Sequence, residues 1–162
     1  MKVLIVSDTH KSHDNLEQVI EMEKPLDHMI HLGDAEGYED LIESMAQCPL
    51  DIVAGNCDWG SDLPTEKMIE LENHVILMTH GHEYYVSTGM ETLIDRAVSS
   101  GADIVMFGHT HRPFYEETGE VTILNPGSIS YPRQEGHVPS YAVMDIQKDG
   151  EITIETKYFV QK

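Results

Sequence analysis

Hydrophobic and polar positions along this chain follow two alternating periods. Residues 2–6 form a short, continuous apolar run of strand length, and residues 14–22 follow with Leu16, Val19 and Ile20 at helical spacing. The same unit recurs: residues 28–32 read as a strand ending at Gly33 and Asp34, after which Leu41, Ile42 and Met45 mark a helix. Residues 50–54 supply a third strand, closed by Gly55 and Asn56. Residues 68–71 and 75–79 read as a strand pair around Glu72 and Asn73, and the second strand stops at His80 and Gly81. A helical stretch over 90–98 leads into an apolar strand over 103–107, which ends at Gly108 and His109.

After that point the pattern changes. Residues 121–124, 141–146 and 152–159 are strand-like, with turn signals at 125–128 and 148–150 and no helix between them. Strand and helix alternation followed by a run of strands predicts an α/β core with an added antiparallel portion, two packed sheets flanked by helices. No linker, repeat or low-complexity segment interrupts it, so the 162 residues are expected to form one domain over 1–162.

Composition narrows the function classes. Ten Lys and Arg stand against 29 Asp and Glu, a formal net charge of −19. That balance disfavours an electrostatic grip on nucleic acid or anionic lipid, so neither is expected as a partner. A phosphate substrate would need a local cationic feature, which bound divalent ions supply. Two cysteines, Cys48 and Cys57, are too few for a disulfide framework, and the opening MKVLIVSDTH turns polar well short of a secretory core. No apolar run approaches the roughly 18 residues of a membrane span. The expected setting is cytoplasmic, with a homo-oligomer left open.

Candidate chemistry gathers at the C-terminal ends of the predicted strands: Asp8 and His10, Asp34, Asn56, His80, and His109 with His111. In open α/β sheets, functional groups collect there because the following loops converge on one crevice. Glycine precedes Asp34, Asn56 and His109, permitting tight turns or close backbone approach. Carboxylates, imidazoles and an amide oxygen suit divalent ions such as Mn²⁺, Fe²⁺, Ni²⁺ or Zn²⁺. No thiolate cluster is present, which argues against a structural zinc site.

Asp8-Thr9-His10, Gly33-Asp34, Gly55-Asn56-Cys57-Asp58, His80-Gly81-His82 and Gly108-His109-Thr110-His111 together resemble the calcineurin-like metallophosphoesterase superfamily. Order and spread match over nearly the whole chain. Its small size, the Asn56-Cys57 pair and Asn125-Pro126-Gly127-Ser128 resemble the compact YfcE-like phosphodiesterase branch in particular. The resemblance implies a four-layer α/β/β/α sandwich with two mixed β-sheets. It also implies that Asp8, His10 and His111 bind one metal, that Asn56, His80 and His109 bind the other, and that Asp34 bridges them. Manganese is the first choice, with Ni²⁺, Fe²⁺ and Zn²⁺ as alternatives. The expected reaction is in-line hydrolysis of a small phosphodiester by a hydroxide bridging two ions about 3.5 to 4 Å apart.

Two positions depart from the superfamily pattern. Cys57 stands where many members carry a histidine that contacts the phosphate or assists the leaving group, and a thiol is a weaker donor. Lys11 stands where glycine often follows the first motif. Cys57, Asp58 and His82 are the candidate catalytic residues, although Asp58 reads equally as a turn residue and His82 equally as a continuation of its loop. His28, His31, His74 and His137 match no motif and are expected at surface or strand positions, and 125–128 reads as an ordinary turn. Two other functions fit the same resemblance: an interaction scaffold like the retromer subunit of this fold, which lacks several of the ligands, and a phosphomonoesterase or nucleotide hydrolase using the same site.

Overall fold

The computed structural model describes residues 1–160, so the last two residues of the expected 1–162 domain lie outside the described residues. The chain runs β1 (Lys2–Val6), α1 (Asp14–Glu23), β2 (His28–His31), α2 (Glu39–Ala46) and β3 (Leu50–Ile52). It continues through β4 (Glu66–Leu71), β5 (His74–Thr79), a 3-10 turn (His82–Tyr84), α3 (Glu91–Ser100), β6 (Ile104–Met106), β7 (Pro113–Glu117), β8 (Thr122–Pro126), β9 (Ser140–Ile146) and β10 (Ile152–Tyr158). Two five-stranded sheets result, ordered β10-β9-β1-β2-β3 and β4-β5-β6-β8-β7. Both are mixed: β1, β2 and β3 are parallel, β9 is antiparallel to β1 and β10 to β9, and β5, β6 and β8 are parallel, with β4 antiparallel to β5 and β7 to β8.

The period-two alternation of the strands decides the layers. Val3 and Ile5 of β1, with Ala142, Met144 and Ile146 of β9, face Ile76, Met78, Ile104 and Met106 of the other sheet in a buried inter-sheet core. Leu4 and Val6 point the opposite way, onto Leu16, Val19 and Ile20 of α1 and Ile42 and Ala46 of α2. Leu77, Val105 and Ile123 of the second sheet receive Leu93 and Ala97 of α3. Burying each such aliphatic side chain stabilises the fold by about 1.5–3 kcal/mol, so these three layers hold the strand ends rigidly. The expected α/β/β/α sandwich is the observed one.

The boundaries differ where the chain leaves a ladder. Strand β3 stops at Ile52 instead of 54: Val53 N still donates to the His31 carbonyl at 3.2 Å, but Ala54 N turns away to the Pro64 carbonyl at 2.8 Å. Strand β7 was not expected, because its PFYEE sequence lacks alternation and Glu116 and Glu117 stand on an exposed sheet edge, where charge discourages further pairing. Asn125 and Pro126 continue β8, and the turn falls at Gly127, whose φ of 76° lies in the left-handed region.

The parallel registers set Val6 beside His31, His31 beside Ile52, and Met78 beside Met106. The carboxyl ends of β1, β2 and β3 therefore lie together, as do those of β5 and β6. Hydrogen bonds cross between the two groups: His80 Nδ1 to the Leu32 carbonyl at 2.6 Å and His109 N to Asp8 Oδ2 at 3.1 Å. Both sheets feed their loops into one crevice.

Candidate metal centre

All seven expected ligands come together there. Asp8 Oδ1 lies 3.1 Å from His111 Nε2 and 3.7 Å from both His10 Nε2 and His80 Nε2. Asp34 Oδ2 lies 3.4 Å from His10 Nε2 and 3.3 Å from His80 Nε2. Asn56 Oδ1 lies 3.1 Å from His80 Nε2 and 2.9 Å from His109 Nδ1. Asp8 with His10 and His111, and Asp8 with Asp34 and His80, form groups compact enough to hold an ion.

Five of the seven side chains are anchored on one side so that the other atom points inward. Asp8 Oδ2 accepts from Ser7 Oγ at 2.6 Å and from His109 N at 3.1 Å, leaving Oδ1 buried without a hydrogen-bond partner. Asp34 Oδ1 accepts from Cys57 N at 2.8 Å, which frees Oδ2. His80 Nδ1 donates to the Leu32 carbonyl and His111 Nδ1 to the Tyr131 carbonyl, both at 2.6 Å, while His10 Nδ1 pairs with Glu36 Oε1 at 2.8 Å. Carbonyl and carboxylate oxygens only accept, so these Nδ1 atoms carry protons and the three Nε2 atoms face the crevice.

The backbone holds this arrangement in unfavourable territory. Asp8, His10, Asp34, His109 and His111 all have positive φ, from 44° to 67°. Side chains other than glycine rarely adopt such angles, and clusters of them mark functional sites. A Cβ on Gly108 would collide with Ser7 Oγ and Asp8 Oδ2, and one on Gly55 with Asp34. The glycines expected to allow close approach are required at these two positions.

Charge within the cluster is tightly balanced. Burial acts to raise the Asp8 pKa, but His10, His111 and His80 overcome it and hold the carboxyl well below the usual range. Burial likewise opposes ionisation of Asp34, and His80 reverses the direction. The nearby Asp8 carboxylate, partly offset by burial and reinforced by Glu36, pushes His10 up to about 9. Burial and the neighbouring His80 charge lower His82 and His109. Burial, followed by the Asp34 charge, pushes the Cys57 thiol up to about 11.

The donor set fits divalent cations. A buried carboxylate oxygen without a donor, and two imidazole nitrogens, His10 Nε2 and His111 Nε2, facing each other at 3.2 Å, are satisfied together by a positive ion between them.

The three other candidates occupy different places. Asp58 Oδ2 accepts from Asp34 N at 2.7 Å and Gly55 N at 2.6 Å, and Oδ1 accepts from Glu36 N at 2.6 Å. Its carboxylate ties two ligand loops together and touches no imidazole in these bonds. His82 rides on the 3-10 turn with its ring 5.5 Å from that of His80 and 6.1 Å from that of His109, and its buried Nδ1 has no partner. Cys57 Sγ lies within reach of His10 and Glu36 and receives Asn56 Nδ2 at 3.4 Å.

Sequence reasoning missed several supports. Glu36 belongs to no motif, yet it orients His10. His31 is fully buried on β2, where Thr9 Oγ1 lies 3.1 Å from Nε2 and Gly33 N donates to Nδ1; burial pushes it down to about 4, so it stays neutral. The Asn125 to Ser128 segment is more than a turn: Asn125 Nδ2 donates to the Gly108 carbonyl at 2.9 Å and Ser128 Oγ to the Asp8 carbonyl at 2.8 Å. A polar residue beside a motif was the available signal for Glu36, and nothing in spacing marked the others.

Comparison with known proteins agrees with this geometry. A model of the calcineurin-like phosphoesterase superfamily domain matches residues 1–149. The chain is 35% identical over 152 residues to the probable metallophosphoesterase YsnB of Bacillus subtilis, covering 92% of this chain and 86% of that protein. It is 30% identical over 170 residues to the phosphodiesterase YfcE of Escherichia coli, covering 90% and 88%. Among solved structures, a single mutant of Vps29 from Entamoeba histolytica superposes with a TM-score of 0.79 at 24% identity, covering 99% of this chain and all of that one, a likeness of fold.

Proposed function

The chain belongs to the calcineurin-like phosphoesterase superfamily, and from that membership we propose that it is a phosphodiesterase whose site takes two divalent cations. One observation carries the two-ion reading: Asp34 Oδ2 stands between His10 Nε2 and His80 Nε2, at 3.4 and 3.3 Å, as a shared ligand must. Asp8, His10 and His111 would hold one ion and Asn56, His80 and His109 the other, with Asp34 available to both. Manganese is the first choice among Mn²⁺, Ni²⁺, Fe²⁺ and Zn²⁺ for this mixed nitrogen and oxygen set.

Two such ions supply Lewis acidity to the phosphoryl oxygens and lower the pKa of an attacking water. The chain's own residues do the rest. Asp8 and Asp34 remain ionised and fix the spacing of the centre, while the imidazoles of His10, His80 and His111, locked through Nδ1, present their free nitrogens without reorganisation. Cys57, held as a neutral thiol, offers a weak donor toward the phosphate or leaving oxygen. His82, with its unpartnered Nδ1, is placed to exchange a proton on the opposite side. Asp58 acts as a positioning residue through the amides of Asp34, Glu36 and Gly55. The expected substrate is a small phosphodiester in a cytoplasmic setting; among the described residues no helix is long and apolar enough to cross a membrane.

The test is hydrolysis of bis(4-nitrophenyl) phosphate by metal-loaded protein, chelated protein and Asp8→Asn, with folding followed by circular dichroism. Activity is expected only in the first, with the fold retained in all three. Clear preference for 4-nitrophenyl phosphate would shift the reading to a phosphomonoesterase. Inactivity toward both with all four metals would favour an interaction scaffold.

A further inference from the structure

Cations are scarce in this chain, and most are committed. Lys2, Lys11, Lys24, Lys67, Arg96 and Lys157 are each ion-paired with a carboxylate. Among the described residues Arg112, Lys148 and Arg133 have no carboxylate partner, and of these Arg133 lines a cavity of about 440 Å³ that opens beside the metal centre against His10, His111, Tyr131 and Pro132. In a chain of net charge −19, an exposed guanidinium that no carboxylate neutralises leaves a local positive charge beside the site, free to receive an anion.

The wall carrying Arg133 is built onto the metal ligands. Its backbone N–H donates to the His111 carbonyl at 2.9 Å, while His111 Nδ1 donates to the Tyr131 carbonyl at 2.6 Å, so the segment is clamped to that ligand at two points. Tyr131 N donates in turn to Ser128 Oγ at 2.8 Å, and Ser128 Oγ to the Asp8 carbonyl at 2.8 Å. The Tyr131 ring meets that of His10 edge-on, with centroids 5.7 Å apart. A second cavity beside Cys57, of about 710 Å³, has a different character: it is bordered by Glu39, Asp40 and Asp62 with exposed Trp59, and its one cation, Lys11, is paired with Glu36. The two cavities differ in sign.

We propose that Arg133 and Tyr131 form a subsite for a second anionic group, a carboxylate or phosphate, on one ester arm of the phosphodiester, with the other arm lying toward Trp59. The assignment rests on the phosphoesterase reading and adds to it the orientation and charge class of the substrate. A guanidinium pairs with carboxylate and phosphate alike through forked donors, and the carboxylates on the Trp59 side repel the same group, so an asymmetric diester binds in one direction. Arg133 is a specificity-determining residue here, because the ligand set is complete without it.

The experiment compares 4-nitrophenyl phosphodiesters whose second arm is ethyl, choline or carboxyethyl, using metal-loaded native protein, Arg133→Gln and Arg133→Lys. In native protein kcat/KM is expected to be about tenfold higher for the carboxyethyl than for the ethyl arm, mainly through KM, and lowest for choline. Arg133→Gln should reduce the carboxyethyl-to-ethyl ratio to about one, and Arg133→Lys should restore part of it. Calorimetry with uncleavable 4-carboxyphenylphosphonate and phenylphosphonate supplies a second readout, with the same tenfold difference expected in native protein and lost in Arg133→Gln. A native ratio near one, or a ratio that Arg133→Gln leaves in place, overturns the assignment. If no diester is cleaved, the hydrolase reading falls; the phosphonate difference then upholds the subsite by its presence or overturns it by its absence.

Discussion

His10 Nε2 and His111 Nε2 face each other at 3.2 Å, a separation that two neutral acceptors do not tolerate without a proton or a cation between them. In the metal-free protein the proton is expected on His10, whose pKa the Asp8 carboxylate and Glu36 push up to about 9 despite partial burial. This raised value stabilises the metal-free fold fully below the ordinary pKa of 6.5, and the contribution is lost as pH rises through about 9. Metal must displace that proton. For the ion that His10 shares with Asp8 and His111, apparent affinity should therefore climb about tenfold per pH unit up to about 9 and then level off, with close to one proton released from His10 when that ion binds near pH 7. Calorimetry in buffers of different ionisation enthalpy measures that release; binding without proton release would contradict it.

Asp58 accepts three backbone hydrogen bonds, from Asp34, Glu36 and Gly55. In Asp58→Asn an amide NH₂ replaces one acceptor and faces a backbone donor. Stability should fall by about 2 kcal/mol, and metal affinity should weaken as the Asp34 and Asn56 loops loosen. If Asp58 instead transferred protons, the variant would keep its stability and affinity and lose kcat at metal saturation. Denaturant titration beside metal titration separates the two.

Far from the metal centre, buried Glu23 receives Lys2 at 2.8 Å, Lys157 at 3.0 Å and the Tyr141 hydroxyl at 2.8 Å. Burial opposes its ionisation, and these three donors reverse the direction and lower its pKa to about 2. A depressed carboxylate pKa contributes stability that is present above the unfolded value of about 4.5 and lost as pH falls through about 2. Glu23→Gln should cost about 2–3 kcal/mol at pH 7, and the gap to native protein should close progressively between pH 4.5 and 2. Urea unfolding at a series of pH values checks it.

Cys57 is held as a neutral thiol by burial and by Asp34, with its pKa pushed up to about 11, so it is a weak donor at pH 7. Diesters should be cleaved faster than matched monoesters, whose cleavage without an added acid for the leaving oxygen is harder. Cys57→His should raise kcat/KM on 4-nitrophenyl phosphate by at least about tenfold, short of the gain from an optimally placed acid. A preference for the monoester in unmodified protein would reverse this account.

What was legible in the sequence depended on how local its cause was. β1 has the expected bounds because four consecutive buried apolar residues need no partner to be recognised. The clustering of the seven candidate ligands was legible because each follows a strand end and five motifs occur in one order. Glu36 and His31 escaped notice because their partners, His10 and Thr9, lie 26 and 22 residues away. The role of Ser128 rests on a bond to Asp8 across 120 residues, which no periodicity encodes. β7 was missed because an exposed, charged edge strand carries no burial pattern. The positive φ angles at Asp8, His10, Asp34, His109 and His111 leave no trace in residue type, since none is a glycine.

The central claim is that one carboxylate, Asp34, serves two cation sites, with Oδ2 facing His10 and His80 at 3.4 and 3.3 Å. Asp34→Asn should therefore weaken both sites together, whereas His10→Ala should weaken mainly the one it shares with Asp8 and His111. The most direct measurement is the metal content of folded, metal-saturated protein by elemental analysis, made on native protein and both variants. The account predicts two divalent ions per native chain, about one retained by His10→Ala at concentrations that saturate the native protein, and fewer than one by Asp34→Asn. A single ion per saturated native chain, or a variant Asp34→Asn that keeps one site at native affinity, would contradict it.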